Sequence, residues 1–368
     1  MAQLVDVLIG QGQTAVHTAR YLLKEKRPCL ILSLKPNQLP EDLKHLYCNH
    51  VEDVLQYWLS PGVQPNDPVW SKLKAGVPVQ LDIEYYLFNT TSQVIAVTGT
   101  NGKSSVCVYL QTMLSKMGYA VGIYGNYQPG LLQTLKQPLD YVILELSSFQ
   151  LHYLSPQFRL SAAIITNIDQ DHLEWHQGIK PYQATKQKML QLSSICITEH
   201  DVKHFKDINS KNWNLAKLAV TALGYHIKQD QFLVQLPYRL QQYKQYPIYN
   251  DSKATNIHAV CAAIHQVSES YRGFILILAG VEKGCCTKVL QTYIRQFKIE
   301  VYMIGDNYQS LQDLSQKRFP DMVSCLSGID LSRVILFSPG GSSYDQYKDF
   351  IDRGRHFDTI IQSLLERA

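Results

Sequence analysis

The sequence predicts an α/β protein with three parallel sheets in series, and three observations carry that reading. Short apolar runs alternate with helical patterns, the grammar of strand–helix–strand units. The runs fall into three groups separated by polar stretches, and the second group opens on a glycine-rich loop bearing a lysine. The chain has 368 residues, enough for two to three domains at about 150 residues each.

The elements follow in order. Val5–Ile9 is an apolar run that ends in Gly10-Gln11-Gly12; a helical stretch, Thr14 to Glu25, leads to the next run, Cys29–Leu32. Val94–Val97 precedes a glycine-rich turn and a helical pattern over Ser104–Met117, followed by strands over Tyr141–Leu144 and Ala162–Ile165. Phe274–Leu278, Val301–Ile304 and Val334–Phe337 form the last group. Boundaries are expected near 91, in the polar stretch Asn89-Thr90-Thr91-Ser92, and near 237. They give domains of 1–91, 92–237 and 238–368. The polar, lysine-rich stretch from His200 to Asn212 receives no assignment.

Composition excludes several classes. The net charge of +4 is small for this length, which argues against a dedicated nucleic-acid or membrane-surface binder. Hydrophobic residues at 45% and charged residues at 18% fit a globular chain rather than a disordered one. The eight cysteines form no CxxC pair, so neither a zinc finger nor a disulfide scaffold is indicated, and a reduced cytoplasmic setting is expected. Neither a signal peptide nor a run of roughly 20 apolar residues stands out.

The chemistry concentrates in Val97-Thr98-Gly99-Thr100-Asn101-Gly102-Lys103-Ser104-Ser105. Glycines let backbone N–H groups close on phosphate oxygens, and a helix N-terminus adds partial positive charge. A lysine after the last glycine reaches terminal phosphates, and the hydroxyl beside it can ligate Mg²⁺. The first glycine of the general GxxxxGK[ST] pattern falls on Val97, so the fit is partial. An ordinary strand-to-helix turn is the competing reading. Gly10-Gln11-Gly12 can hold a phosphate or simply turn the chain, and no acid ends the second strand as a dinucleotide site would want.

Ligands of parallel sheets gather at the carboxyl ends of strands. Glu145 stands there after one run, and can hold a triphosphate's Mg²⁺. Asp169, Asp171 and His172 follow the next, as a possible second metal cluster. Lys186, in a helical stretch, reads on its own as a surface lysine. Asn250-Asp251-Ser252-Lys253-Ala254-Thr255-Asn256 leads into a helix over Ile257–Val267. Asp251 or Ser252 can cap that helix, or the loop can bind a ligand. Ser338-Pro339-Gly340-Gly341-Ser342-Ser343 follows the last strand and is expected to lead into a helix as an anion-friendly turn.

These residues, taken together, resemble the Mur ligases, the ATP-dependent amide-forming enzymes of peptidoglycan synthesis, and within them the branch that adds D-glutamate. The likeness runs from end to end. It covers Ser60-Pro61-Gly62, GTNGKSS at 99–105, Gly125-Asn126, ELSSFQL at 145–151, Asn167 through the DHLEWH that ends at 176, Tyr182–Lys186, NDSKATN at 250–256, Glu282-Lys283-Gly284 and SPGGSSYDQYKDF at 338–350. It implies a Rossmann-like UDP-substrate domain, a central P-loop ATPase-type domain and a Rossmann-like C-terminal domain that brings the amino acid.

The resemblance also implies roles. Gly99, Thr100, Asn101, Gly102, Lys103, Ser104 and Ser105 would hold ATP, with Ser104 and Glu145 on one Mg²⁺ and His172 on a second. Lys186 matches a lysine carbamylated in this family, where it serves as a metal ligand. Asn209 and Asn212 match the adenine-side asparagines, with Asn214 a competitor. Arg239, Asp251, Lys253, Glu282 and Lys283 would meet ATP from the third domain. Gly12, Thr14, Ser33, Ser60, Gly62, Asn126, Ser147, Gln150 and His172 would line the UDP-N-acetylmuramoyl-L-alanine site. Ser343, Tyr344 and Phe350 would hold D-glutamate. A monomer is expected.

The chain departs from the family in three places. About fifty residues of the usual central domain are missing between Lys186 and Arg239. Tyr238 stands where a histidine often precedes the arginine. Leu32-Ser33-Leu34 lacks the aspartate that often helps to recognise uracil, a role left to Ser33 or Lys35. A related ligase acting on another carboxylate, in the manner of folylpolyglutamate synthetase, and a non-catalytic binder of nucleotide or UDP precursor are the alternatives.

Overall fold

The computed structural model describes residues 4–33, 39–137, 139–203, 207–227, 236–243, 245–281, 287–305, 311, 314 and 317–367. Three sheets form, as the grouping of apolar runs predicts. The first is built from β1 (Val5–Ile9), β2 (Cys29–Leu32), β3 (Tyr47–Cys48), β4 (Val54–Leu59) and β5 (Val79–Gln80), with α1 (Gln13–Lys24) and α2 (Asp82–Asn89). Its order is β3-β2-β1-β4-β5 and every pair is parallel.

The second sheet takes β6 (Gln93–Thr98), β7 (Val121–Gly125), β8 (Tyr141–Glu145), β9 (Ala162–Ile165) and β10 (Cys196–Thr198). Its order, β10-β9-β6-β8-β7, is again all parallel. Its helices are α3 (Lys103–Lys116), α4 (Ser148–Tyr153), α5 (Leu173–His176), α6 (Ile179–Gln187) and α7 (Ile208–Ala222) in chain order. The third sheet comprises β11 (Gln241–Gln242), β12 (Ile248–Asn250), β13 (Ile275–Ala279), β14 (Glu300–Ile304), β15 (Lys317–Phe319) and β16 (Ile335–Gly340). With it run α8 (Ile257–Ser268), α9 (Lys288–Gln296), α10 (Met322–Ser327) and α11 (Phe350–Leu365). The order is β11-β12-β16-β13-β14-β15, parallel except for the β11–β12 edge pair.

The inner strands of the second sheet, β6, β8 and β9, are apolar over most of their length because both faces are covered. Ile95, Val97, Ile143 and Ile164 pack with α3 and α7, while Val94, Ala96, Val142 and Leu144 share a core with the first sheet. In the third sheet, Leu276, Leu278 and Val301 pack with α8 and α9; Ile275, Ile277 and Phe337 pack with α10 and α11.

The described residues divide into two compact units. One holds Met1–Ile168 with Lys180–Leu233, so the first two sheets belong together; the other holds Asp169–Ile179 with Val234–Ala368. Polar ties join the first two sheets. Glu84 accepts from the Leu81 N–H at 3.1 Å and from the Ser155 N–H at 2.9 Å, and Tyr153 donates to the Val63 carbonyl at 2.7 Å.

Three local expectations are corrected. The unassigned stretch ends inside α7, which starts at Ile208 behind an Asp207–Ser210 capping box; Trp213 packs edge-on against Tyr109 of α3. Asn256, not Asp251 or Ser252, caps α8, accepting from the Ala259 N–H at 2.9 Å. Ser338 to Gly340 continue β16, and α11 begins only at Phe350, capped by Asp349. The turn after the last strand therefore does not open a helix, and the α11 N-terminus already has its carboxylate.

Candidate nucleotide and substrate sites

The loop after β6 is shaped by contacts to three other parts of the fold: the segment that follows β9, α6 and α7. Gly99 sits at φ +147°, and a Cβ there would overlap the Thr166 hydroxyl. Gly102 sits at φ +82°, and a Cβ would lie 2.6 Å from Asn212 Oδ1. Both positions therefore require glycine on backbone and space grounds together. Asn167 holds Asn101 by both ends of its amide, accepting from the Asn101 N–H and donating to its carbonyl, each at 3.0 Å. Tyr182 shares a 2.9 Å hydrogen bond with the Thr100 hydroxyl.

Lys103 opens α3 and donates to the carbonyls of Gly99 and Thr100 at 2.9 and 3.0 Å. Its ammonium thus lies over the loop that it is expected to serve. Ser104 and Ser105 are buried in the first turn of the same helix.

Lys186 overturns the surface reading. It is 1% exposed, donates to the Gly99 carbonyl at 2.9 Å and the Thr98 hydroxyl at 3.3 Å, and lies 4.9 Å from the Tyr182 ring centroid. Four residues separate Tyr182 from Lys186, which puts both on one face of α6. That spacing is the signal that composition missed.

Glu145 is 2% exposed at the end of β8, in register with Val97 of β6 and Gly125 of β7. Asn126 donates to its carboxylate at 2.6 Å through Nδ2 and to its carbonyl at 2.8 Å through N–H. Ser104 and Glu145 are hard oxygen donors of the kind that suits Mg²⁺, which is commonly held by one or two carboxylates and by substrate phosphates. The donor chemistry fits the ion. A protonated Lys186 has no lone pair to offer a metal; a carbamate would supply oxygen ligands.

The Asp171 carboxylate lies 3.6 Å from the His172 ring Nε2. Asp171 accepts from the His172 N–H at 3.0 Å, and Asp169 faces His258 at 4.0 Å. Among the described residues no group of three or more His, Cys, Asp or Glu can hold an ion.

On α7, Asn212 is the asparagine that reaches Gly102. Its Oδ1 is buried without a hydrogen-bond partner among the described residues. Asn209 and Asn214 are half-buried. In the first sheet, Gly10 at φ +97° packs against Ser60, with a Cβ position 2.9 Å from Ser60 Cβ. This joins the GQG loop to the SPG loop, where the Ser60 hydroxyl is buried without a hydrogen-bond partner among the described residues. Gly12 caps α1, Thr14 lies in its first turn, and Gly62 is exposed. Ser33 donates to the side-chain oxygen of Gln11. Ser147 and Gln150 form a reciprocal capping box on α4. Lys35 lies outside the described residues.

In the second unit, Asp251 is buried, accepting from the Ser338 hydroxyl at 2.8 Å and the Leu240 N–H at 3.0 Å. Burial pushes its carboxyl up to about 7, against the pull of those bonds and of Arg239 and Arg353. Lys253 lies 4.0 Å over the Phe350 ring, so two residues expected to serve different substrates touch each other. Ser343 is buried in a turn and Tyr344 is 79% exposed. Glu282 and Lys283 lie outside the described residues. Arg353 went unpredicted. It is 1% exposed and donates to Ser252 Oγ at 3.1 Å, to the Ser252 carbonyl at 2.8 Å and to the Gly341 carbonyl at 3.1 Å. It ties the 250–256 loop to the end of β16. Its only sequence signal is an arginine on the apolar face of a helix.

Fold and site define a class: a multi-sheet α/β protein with a lysine-bearing phosphate loop in its central sheet. Residues 97–268 match the model of the Mur ligase middle domain. Curated relatives named UDP-N-acetylmuramoylalanine–D-glutamate ligase align over almost the whole chain. That of Coxiella burnetii (strain Dugway 5J108-111) is 24% identical, covering 99% of this chain and 100% of its own. Those of Buchnera aphidicola subsp. Baizongia pistaciae and Fervidobacterium nodosum are each 28% identical, covering 98% of this chain and 98% and 99% of their own. The Coxiella alignment spans 447 positions against a chain of 368, so it crosses gaps in this chain. Among solved structures, Thermotoga maritima MurC superposes with a TM-score of 0.56 at 17% identity, over 98% of this chain and 100% of that one. Thermotoga maritima MurF in complex with ADP gives 0.57 at 15%, over 86% and 90%. The likeness to Mur ligases thus runs over almost the whole chain.

Proposed function

We propose that the chain is an ATP-dependent amide ligase that joins D-glutamate to UDP-N-acetylmuramoyl-L-alanine in peptidoglycan precursor synthesis. The observation that carries this reading is the Gly99–Ser105 loop, with Lys103 and Ser104 opening α3 and Glu145 at the end of a neighbouring strand. The relatives that align from end to end bear the name of this reaction.

The acceptor carboxylate attacks the γ-phosphorus of ATP; the bond to the bridging oxygen breaks, and ADP leaves. The amine of D-glutamate then attacks the acyl phosphate carbonyl. The tetrahedral intermediate expels phosphate, and the amine gives up a proton. Lys103 and the loop N–H groups offset charge on the transferring phosphoryl group. Ser104 and Glu145 would hold a Mg²⁺, which would supply further charge neutralisation when bound. His172 would ligate a second Mg²⁺, and Arg239 and Lys253 would contact ATP. Ser60, with its orphaned hydroxyl beside Gly10, is the proposed anchor of the UDP moiety, and Asn212 that of the adenine.

A carbamate on Lys186 is part of this reading. Its burial and its place beside the loop support it. ¹³C-bicarbonate should give a carbamate carbon signal in the wild type, absent in Lys186→Ala, and that variant should lose activity. Retention of full activity by Lys186→Ala would remove the assignment.

The direct test is ADP formation. It should require both UDP-N-acetylmuramoyl-L-alanine and D-glutamate. A rate indifferent to the omission of either sinks the reading. A second carboxylate class is less favoured, because Escherichia coli FolC, though similar in fold at a TM-score of 0.56, covers 76% of this chain.

A further inference from the structure

Arg239 stands at the apex of a turn whose two flanking residues are both left-handed: Tyr238 at φ +61° and Leu240 at φ +46°. Neither is a glycine, and non-glycine residues hold that conformation only where their surroundings over-determine it. Here the surroundings do. The Tyr238 N–H donates to the Gln241 side chain at 3.0 Å, and the Tyr238 carbonyl accepts from the Lys253 N–H at 3.0 Å. The Leu240 N–H donates to the buried carboxylate of Asp251, which Ser338 holds in turn.

The side chain of Tyr238 has its own seat. Its ring lies against Gly354, inside α11. A Cβ on Gly354 would stand 2.7 and 2.8 Å from Cγ and Cε1 of the ring, and closer still to Cδ1. A glycine inside a 16-residue helix is unfavourable for the helix itself. This one removes the atom that would displace the ring. The Gly354 carbonyl also accepts from Asn250 Nδ2 at 2.9 Å, so the seat is anchored to the 250–256 loop.

We propose that Tyr238 and Gly354 are a positioning pair that fixes the direction of Arg239, and through it the reaction with ATP. This deepens the proposed function and rests on it, since it takes Arg239 as a contact of ATP. Tyr238 acts through the body of its ring, so an aromatic ring of the same shape suffices.

The test is a double-mutant cycle on the full chain, read by steady-state kinetics, melting temperature and tryptic cleavage after Arg239, located by mass spectrometry. Gly354→Ala and Tyr238→Ala should each lower kcat/KM for ATP tenfold or more. KM for the UDP substrate and the melting temperature should hold. Tyr238→Phe should keep wild-type kinetics. Gly354→Ala combined with Tyr238→Ala should be no worse than Tyr238→Ala alone, because the added methyl then has no ring to displace. Cleavage after Arg239 should quicken in both single alanine variants, a readout that needs no ligase activity. Three outcomes would overturn the proposal: additive losses in the double variant, loss of activity in Tyr238→Phe, or unchanged cleavage with unchanged ATP kinetics. If Arg239→Ala leaves turnover intact, its assignment to ATP fails and the positioning role falls with it. If the wild type lacks ligase activity but the cleavage pattern is as expected, the function is wrong and the seat of the ring stands.

Discussion

Two lysines dominate the residue scale, and they differ in their surroundings. Lys103 is half-buried and lies over its own loop, whereas Lys186 is enclosed, with a hydroxyl, a carbonyl and a ring as neighbours. We expect Lys103→Ala to lower kcat by about 100-fold or more, the usual scale for losing a preorganised charge at a transferring group. Single-turnover ADP formation measures it, and a near-wild-type rate would remove the phosphate-loop role. Asp251 gives a pH prediction. Its folded carboxyl titrates at about 7, above the ordinary value of 3.8. Its contribution to stability is therefore greatest below the unfolded value and is lost as pH rises through about 7. Between pH 5 and 8 the melting temperature of the wild type should fall more than that of Asp251→Asn. Parallel curves would mean that Asp251 does not titrate in that range.

The phosphate loop is the element where local and tertiary demands meet. Its lysine and serine follow from the strand–loop–helix pattern, but its glycines answer to residues far away. Gly102 leaves room for Asn212 of α7, and Gly99 leaves room for Thr166 at the end of β9. Gly102→Ala should weaken binding of an ATP analogue and destabilise the fold by about 1–2 kcal/mol from the left-handed backbone alone. Calorimetric titration and denaturant unfolding would read the two effects separately. Unaltered binding would mean that the Asn212 contact is dispensable. The stretch after β10 bears on the same element. β10 ends at Thr198 and α7 begins at Ile208, yet α7 still packs on α3 and still brings Asn212 to the loop.

At the scale of the whole molecule, the first two sheets share one apolar cluster and form one unit, and the third sheet forms another with residues 169–179. Two cooperative transitions are expected on heating, since each unit has its own core. Mg²⁺ with an ATP analogue at about 100 times its Kd should raise the transition of the unit holding the phosphate loop, by about 2.7 kcal/mol. Scanning calorimetry with and without the analogue checks this. A nucleotide shift confined to the other unit would contradict the loop as the ATP site. No helix among the described residues is long and apolar enough to cross a membrane.

Much of this was legible in the chain because it depends on near neighbours. Apolar runs mark strands, β1, β2 and β9 at the expected bounds, since a strand covered on both faces must be apolar throughout. A lysine and a hydroxyl after a glycine at the head of a helix mark a phosphate loop. The likeness to Mur ligases was legible as well, since it rests on motifs in the chain itself. What only the tertiary structure decided are burial and partnership across long separations. Lys186 lies 87 residues from the carbonyl that it meets, Ser338 lies 87 from Asp251, and Arg353 lies 101 from Ser252. Periodicity reports which face of an element is covered. It does not report which distant segment covers it, and that neighbour decides whether a lysine is a solvated cation or part of a closed site.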